Sequence, residues 1–123
     1  MTINVITQTK TNLATELIAD GINAETYIPP RITPPLAIIS PDNTYVAQGD
    51  TFATFRISLL ITLVAQNASN EKATEALDEL IVTAIGAIPA QWAIDSVEQP
   101  FALSANNAEY IATRMAVSTQ ITI

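Results

Sequence analysis

Apolar side chains occupy every second position in the stretch from Phe52 to Ala65. Alternation with a period of two predicts a β-strand with one buried face, because successive side chains of a strand point to opposite sides. At ~3.3 Å per residue the stretch would span about 45 Å, whereas strands usually contain about five or six residues. We therefore expect it either to break at a bulge or to project beyond the domain body.

The second face of this stretch becomes apolar near Leu60 and Val64. That end should be covered on both sides, and a partner subunit is one way to cover it. The same period returns between Glu109 and Ile123. Two strands of this length are expected to pair with each other, because each satisfies the backbone hydrogen-bonding groups of the other.

Two helices are predicted from apolar residues that recur at helical spacing. The first covers about Thr9–Asp20, with Thr7 or Thr9 as its N-cap and Gly21 as a left-handed C-terminal cap. The second covers about Glu71–Ala87. Acidic residues gather in its N-terminal half, where the helix dipole favours negative charge.

Two shorter strands complete the prediction. They cover Leu36–Ser40 and Trp92–Gln99, and a bulge near Asp95 would reconcile the mixed alternation of the latter. Residues 100–107 are predicted to form a loop. With elements in the order α-β-β-α-β-β, we predict a single α+β domain over residues 1–123, in which two helices pack on a mostly antiparallel sheet of about four strands.

A proline-dense segment, Ile28–Pro35, precedes the first short strand. Because proline fixes φ, the segment is predicted to be a stiff, extended lead-in, and a polyproline ligand for an adaptor domain is the alternative. Residues 41–51 are expected to form a long, protruding connection into the next strand. Long loops at sheet ends often carry contacts, so Asp42, Tyr45 and Asp50 are candidate partner contacts.

The chain is poor in charge and acidic overall. Charged residues make up 14% of it, and five basic residues against twelve acidic ones give a net charge of −7. A surface with few charges is cheap to desolvate, which favours assembly with copies or partners, although a monomer with an uncharged, Thr-rich surface is also compatible. The acidic balance argues against wrapping nucleic acid or binding an anionic membrane. Neither a signal peptide nor a transmembrane segment is expected.

Most reactive side chains are missing. His and Cys are absent, which excludes a His general base, a thiol nucleophile and the usual zinc sites, and three glycines cannot form a phosphate-binding loop. Glu71, Glu75, Asp78 and Glu79 lie near one helix face and could in principle hold a divalent cation, but a solvated acidic face is the simpler interpretation. We therefore predict no catalytic residue, no cofactor and no metal site.

Two arginines lie within long strands that are otherwise almost uncharged, Arg56 and Arg114. If they share a sheet face they would repel each other unless a carboxylate lies between them. Asp95 and Glu98, from the same chain or a neighbouring copy, are the candidates. The alternative is that both arginines point outward into water. These four residues join the loop residues above as predicted oligomer or partner contacts.

The order of elements resembles that of the tail-terminator, or tail-completion, proteins of long-tailed bacteriophages. The resemblance covers nearly the whole chain: a first helix, the passage YIPPRITPP, PLAIISP, the long strand GDTFATFRISLLITLVA, a polar NASN break, the helix EKATEALDELIVTAIGAI, then WAIDSVEQP and EYIATRMAVSTQITI. The resemblance implies a structural protein without catalysis. It would form a ring, commonly a hexamer, that stops growth of the tail tube and joins it to the neck.

The resemblance also implies partners and a location. The tail-tube protein would lie on one side of the ring, a neck or connector protein on the other, and DNA would pass through the acidic channel only as cargo. The protein would assemble in the cytoplasm of the bacterial host and reside in the virion. Another neck or tail-tube subunit is the alternative within this class, and a small ligand- or peptide-binding α+β module is the alternative outside it.

Overall fold

The computed structural model describes residues 5–26, 36–49, 53–65, 70–105 and 108–122. Two helices and six strands lie within these ranges. Their bounds are α1 Val5–Ala19, β1 Asn23–Glu25, β2 Leu36–Gln48, β3 Thr54–Val64, α2 Asn70–Ala87, β4 Ala93–Val97, β5 Phe101–Ala105 and β6 Ala108–Thr122. The proline-dense segment Ile28–Pro35 and the candidate contact Asp50 lie outside the described residues.

The two longest predicted strands pair with each other at the centre of the sheet, and this prediction is confirmed. β3 and β6 are antiparallel, in one unbroken register from Thr54 opposite Thr122 to Val64 opposite Ala112. β3 therefore has no bulge, and its length is matched by that of β6. The strand order is β1-β2-β3-β6-β4, and β5 also pairs with β6. β6 thus uses one edge for β3 and the other for β4 and β5.

The predicted fold class, a mostly antiparallel sheet of about four strands in the order α-β-β-α-β-β, is wrong. The described residues form a mixed sheet of six strands, because β1 lies parallel to β2 while the other pairs are antiparallel. β1 is too short to show a period in the sequence. β5 lies in the segment predicted as loop, and it forms because β6 continues past β4 and offers a free edge.

β2 also differs from its prediction. Residues 41–48 belong to this strand, whereas the sequence predicts a connection over residues 41–51. Pro41 and the polar residues after it are typical of a turn. In the structure, the pairing of β2 with β3 shifts register between Pro41 and Val46. A proline has no N–H to donate to a ladder, and such an irregularity is where a strand tolerates one.

The two helices pack on the sheet, as predicted, and the structure places both on one face with the main core beneath them. α1 contacts β1 and β2, and α2 contacts β3 and β6. Every second residue of β3 and the central apolar residues of the helices are fully buried there: Ile57, Leu59, Ile61, Leu63, Leu17 and Leu77. Burial of each such side chain contributes about 1.5–3 kcal/mol, so this layer is the main source of stability.

The far end of the second face is covered from within the chain. Leu36, Ile38, Val64 and Ala112 form a small second cluster, against which Phe101, Leu103 and Tyr110 pack. The apolar character of Val64 that raised the possibility of a partner is therefore accounted for by the β5–β6 hairpin. Leu60, on the same face but nearer the open part of the sheet, stays half-buried.

Helix α1 begins at Val5, earlier than predicted, so Thr7 and Thr9 lie inside the helix and not at its N-cap. The Thr9 hydroxyl donates to the carbonyl of Val5 at 2.7 Å, which places Thr9 inside the helix, where Ser and Thr commonly bond back to residue i−4. The C-terminal cap is confirmed. Gly21 has a φ of 89°, and the N–H of Ile22 reaches the carbonyl of Leu17 at 3.1 Å in a Schellman arrangement.

Replacing Gly21 by Ala should lower the free energy of unfolding by about 1 kcal/mol, because an L-residue with a Cβ is less stable than glycine in the left-handed region. A Cβ there would meet nothing within 4 Å, so the cost is that of the backbone alone. Gly86→Ala is the matched control. Gly86 lies in α2 with equally open space around it, and alanine should stabilise that helix by up to about 1 kcal/mol. Urea unfolding of both variants checks the opposite signs.

Candidate interaction surface

β4 is an exposed strand at one edge of the sheet. All five of its residues are exposed, and it pairs with β6 along only one side, since no other described strand adjoins it. Ile94 and Val97 leave 36% of their surface exposed. An edge strand with free N–H and C=O groups is a template for another strand, so β4 combines unpaired backbone with apolar side chains.

A bulge at Asp95 sets the direction of these side chains, as predicted. Ile94 pairs with Val117, and the register then shifts so that Val97 pairs with Met115. Val117 and Met115 both belong to the core under the helices. Because directly paired residues point to the same side of a sheet, the extra residue at Asp95 brings Ile94 and Val97 onto one face.

Glu98 and Arg114 are held next to each other by backbone contacts. The N–H of Glu98 donates to the carbonyl of Arg114 at 2.8 Å, and the buried Thr113 hydroxyl donates to the carbonyl of Glu98. The Arg114 guanidinium lies 4.7 Å from the centroid of the Phe101 ring, a cation–π contact. Three predicted contact residues, Asp95, Glu98 and Arg114, therefore lie together at the β4 side of the sheet.

The expected conflict between the two arginines does not arise. Arg56 lies opposite Gln120 and Arg114 opposite Thr62 in the β3–β6 ladder, so the arginines share a face but are six residues apart along the strands. At ~3.3 Å per residue this separation is about 20 Å, beyond the range at which exposed charges interact strongly in salt. Both side chains are exposed, which agrees with the outward-facing alternative.

The other predicted contacts lie elsewhere. Tyr45 is half-buried on β2, packed against the main core, with the Lys10 ammonium 5.5 Å from its ring centroid. Asp42 is half-buried in the irregular part of the same strand. β3 and β6 separate β2 from β4, so these two residues are not brought together with Asp95 and Glu98. The structure thus divides the predicted contacts that it describes among three places, because Arg56 lies apart from both groups, opposite Gln120 on β6.

Sequence reasoning missed the apolar residues of the edge. Ile94 and Val97 could be recognised as strand residues, but nothing in the sequence indicates that β4 is an edge strand. Within the described ranges, no three side chains of the metal-binding types come together, and no helix there is long and apolar enough to cross a membrane.

Comparison with known proteins does not assign the chain to a family. No protein-family model matches the chain, and no curated protein matches its sequence.

Proposed function

We propose that this chain is a structural protein of a bacteriophage virion, a ring-forming subunit that terminates the tail tube and joins it to the neck. The observation that carries the proposal is the exposed β4 edge, whose backbone and apolar side chains suit repeated contact with identical neighbours. An edge used head to tail generates a closed ring when the rotation between copies closes. The low charge content also favours extensive subunit contacts.

The acidic balance fits a conduit for DNA. A net charge of −7 on each copy makes an assembled ring strongly negative, and an acidic lumen would let DNA pass without adhering. The tail-tube protein and a neck protein would contact the two ends of the ring. The protein would reside in the virion after assembly in the host cytoplasm, and no catalytic step is assigned to it.

The proposal is tested by examining the purified full chain, alone and with tail tubes of its own virus, by mass photometry and negative-stain electron microscopy. Rings of about six 13.2-kDa chains, free or capping tube ends, are the expected result. A monomer that neither assembles nor caps tubes would end the proposal. The position of its gene among virion genes gives an independent check.

A paired substitution tests the edge itself. Ile94→Lys with Val97→Lys should weaken self-association at least tenfold, since lysines on an edge strand oppose pairing with another strand. Val82→Lys with Ile85→Lys is the matched control, because those α2 residues are exposed to 71% and 43% but carry no free strand edge. Sedimentation velocity over a concentration series compares the pairs. Equal effects would show that any loss of exposed apolar surface matters, and that β4 has no special role.

A further inference from the structure

One corner of the sheet contains a cavity, at the place where β6 extends beyond the start of β4. The pairing of β4 with β6 begins at Ala93 opposite Ser118, whereas the pairing of β3 with β6 continues to Thr122. Beyond Ser118, the outer edge of β6 therefore has no strand beside it among the described residues. A cavity of about 240 Å³ opens there, lined by Arg56, Gln91, Ala93, Ser118, Thr119 and Gln120.

The lining combines polar groups with apolar surface and carries one positive charge. Arg56 contributes a planar guanidinium with five N–H donors, and Gln91 and Gln120 carry amide groups. Ser118 is only 3% exposed and lies in the wall. The Thr119 hydroxyl donates to the carbonyl of Gln91 at 2.9 Å. This bond holds the backbone at Gln91, just before β4, against β6. None of the six lining residues is acidic, so the charge of Arg56 is not neutralised within the cavity.

Arg56 differs in this respect from Arg114. Arg114 stacks on Phe101, whereas no ion pair or ring contact joins Arg56 to another described residue. The chain has twelve acidic and five basic residues, yet Arg56 has no carboxylate partner among the residues that the structure describes, which leaves its guanidinium open to an external carboxylate. Arginine binds carboxylates with two parallel N–H···O bonds, which gives both attraction and orientation.

The size and charge of the cavity select the ligand class. Pockets for drug-sized ligands measure about 300–1,000 Å³, so this solvent-open pocket of about 240 Å³ can admit a small acid or one side chain of another molecule. A phosphate would bring close to two negative charges at neutral pH, which one arginine does not balance. A carboxylate brings one charge and two acceptor oxygens, which the guanidinium fork and a neighbouring amide or hydroxyl can satisfy together.

We propose that this corner of the sheet is a carboxylate-binding site, in which Arg56 holds the anion and Gln91 and Ser118 supply further donors. The carboxylate has two possible sources: an Asp or Glu side chain of a second copy of this chain, or a free small carboxylic acid. The proposed site depends only on the geometry of this corner, so its test does not depend on whether the chain forms the proposed tail ring.

The test titrates the ¹⁵N-labelled full chain with sodium acetate, replacing sodium chloride at constant ionic strength. The side-chain amide signals of Gln91 and Gln120 and the backbone signals of Ser118 and Thr119 should shift and saturate, with a Kd on the order of 10 mM. Arg56→Gln should weaken acetate binding at least tenfold. Arg56→Lys, which keeps the charge without the planar fork, should retain weaker binding. Lys72→Gln removes one positive charge from α2 and should leave binding unchanged.

A second measurement identifies the source. Sedimentation velocity compares self-association of the wild-type chain and Arg56→Gln, with and without acetate. If both the substitution and acetate weaken association, a carboxylate of a second copy fills the site. If acetate binds through Arg56 but association is unaffected, the ligand is a free small acid. The proposal is overturned if neither the acetate-induced shifts nor self-association depends on Arg56.

Discussion

Replacing Leu59 by Ala is expected to lower the free energy of unfolding by about 3–4 kcal/mol, whereas Leu60→Ala should lower it by about 1 kcal/mol. The two leucines are adjacent on β3 and identical in chemistry. Leu59 is fully buried in the main core, so truncation there removes apolar contacts and leaves a cavity. Leu60 is half-buried on the opposite face, where water can fill the space that its side chain leaves.

Urea unfolding, repeated at several protein concentrations to detect assembly, measures both differences. For a domain of this size the Leu59 variant should lose roughly 10–20 °C in Tm, a large part of a typical total stability of about 5–15 kcal/mol. A cost at Leu60 equal to that at Leu59 would contradict the one-sided packing of β3. It would indicate that the open face of the sheet is covered by another molecule in solution.

This pair of leucines also shows which parts of the fold the sequence predicts. A period of two does not depend on neighbours, because it follows from strand geometry and from the burial of one face. It therefore placed Leu59 and Leu60 on opposite faces and paired β3 with β6. The bulge at Asp95 was predictable for the same reason, since Ile94 and Val97 would otherwise point to opposite sides.

The missed strands depend on what lies beside them. Asn23–Glu25 is too short to carry a pattern, and it becomes a strand because β2 offers it a parallel edge. Phe101–Ala105 becomes a strand because β6 extends past β4. Such context overrides local sequence signals, so the predicted loop and the predicted element order were both wrong.

The corner site has the same limitation. The sequence marks Arg56 as unusual because it is a charge inside an apolar strand. Its neighbours in the cavity, Gln91 and Ser118, are distant in sequence and ordinary in type. They meet because β4 begins its pairing at Ser118 while β3 continues beyond it. The lengths of paired strands are set by the whole sheet, which a reading of single segments does not reveal.

Gly49→Ala is expected to lower the free energy of unfolding by about 1–3 kcal/mol, because the added methyl group has no room. A Cβ on Gly49 would lie 2.5 Å from the Thr54 Oγ1 and 3.0 Å from the carbonyl carbon and oxygen of Thr54. The Gly49 N–H also donates to the Thr54 carbonyl at 2.9 Å, which holds the end of β2 against the start of β3. Ala53, with a φ of 70°, shows that the backbone is already constrained beside this contact.

A double-mutant cycle with Thr54→Ala separates the two sources of crowding. Removing the hydroxyl relieves the 2.5 Å contact, so Gly49→Ala with Thr54→Ala should cost about 1 kcal/mol less than the sum of the single changes. The rescue should be partial, because the 3.0 Å approach to the Thr54 backbone remains. Additive costs would mean that the backbone alone requires glycine here. The three glycines are therefore expected to respond differently to alanine. At Gly21 the left-handed backbone conformation disfavours alanine, and at Gly49 the lack of space disfavours it. At Gly86 neither constraint applies, so alanine is expected to be the better residue.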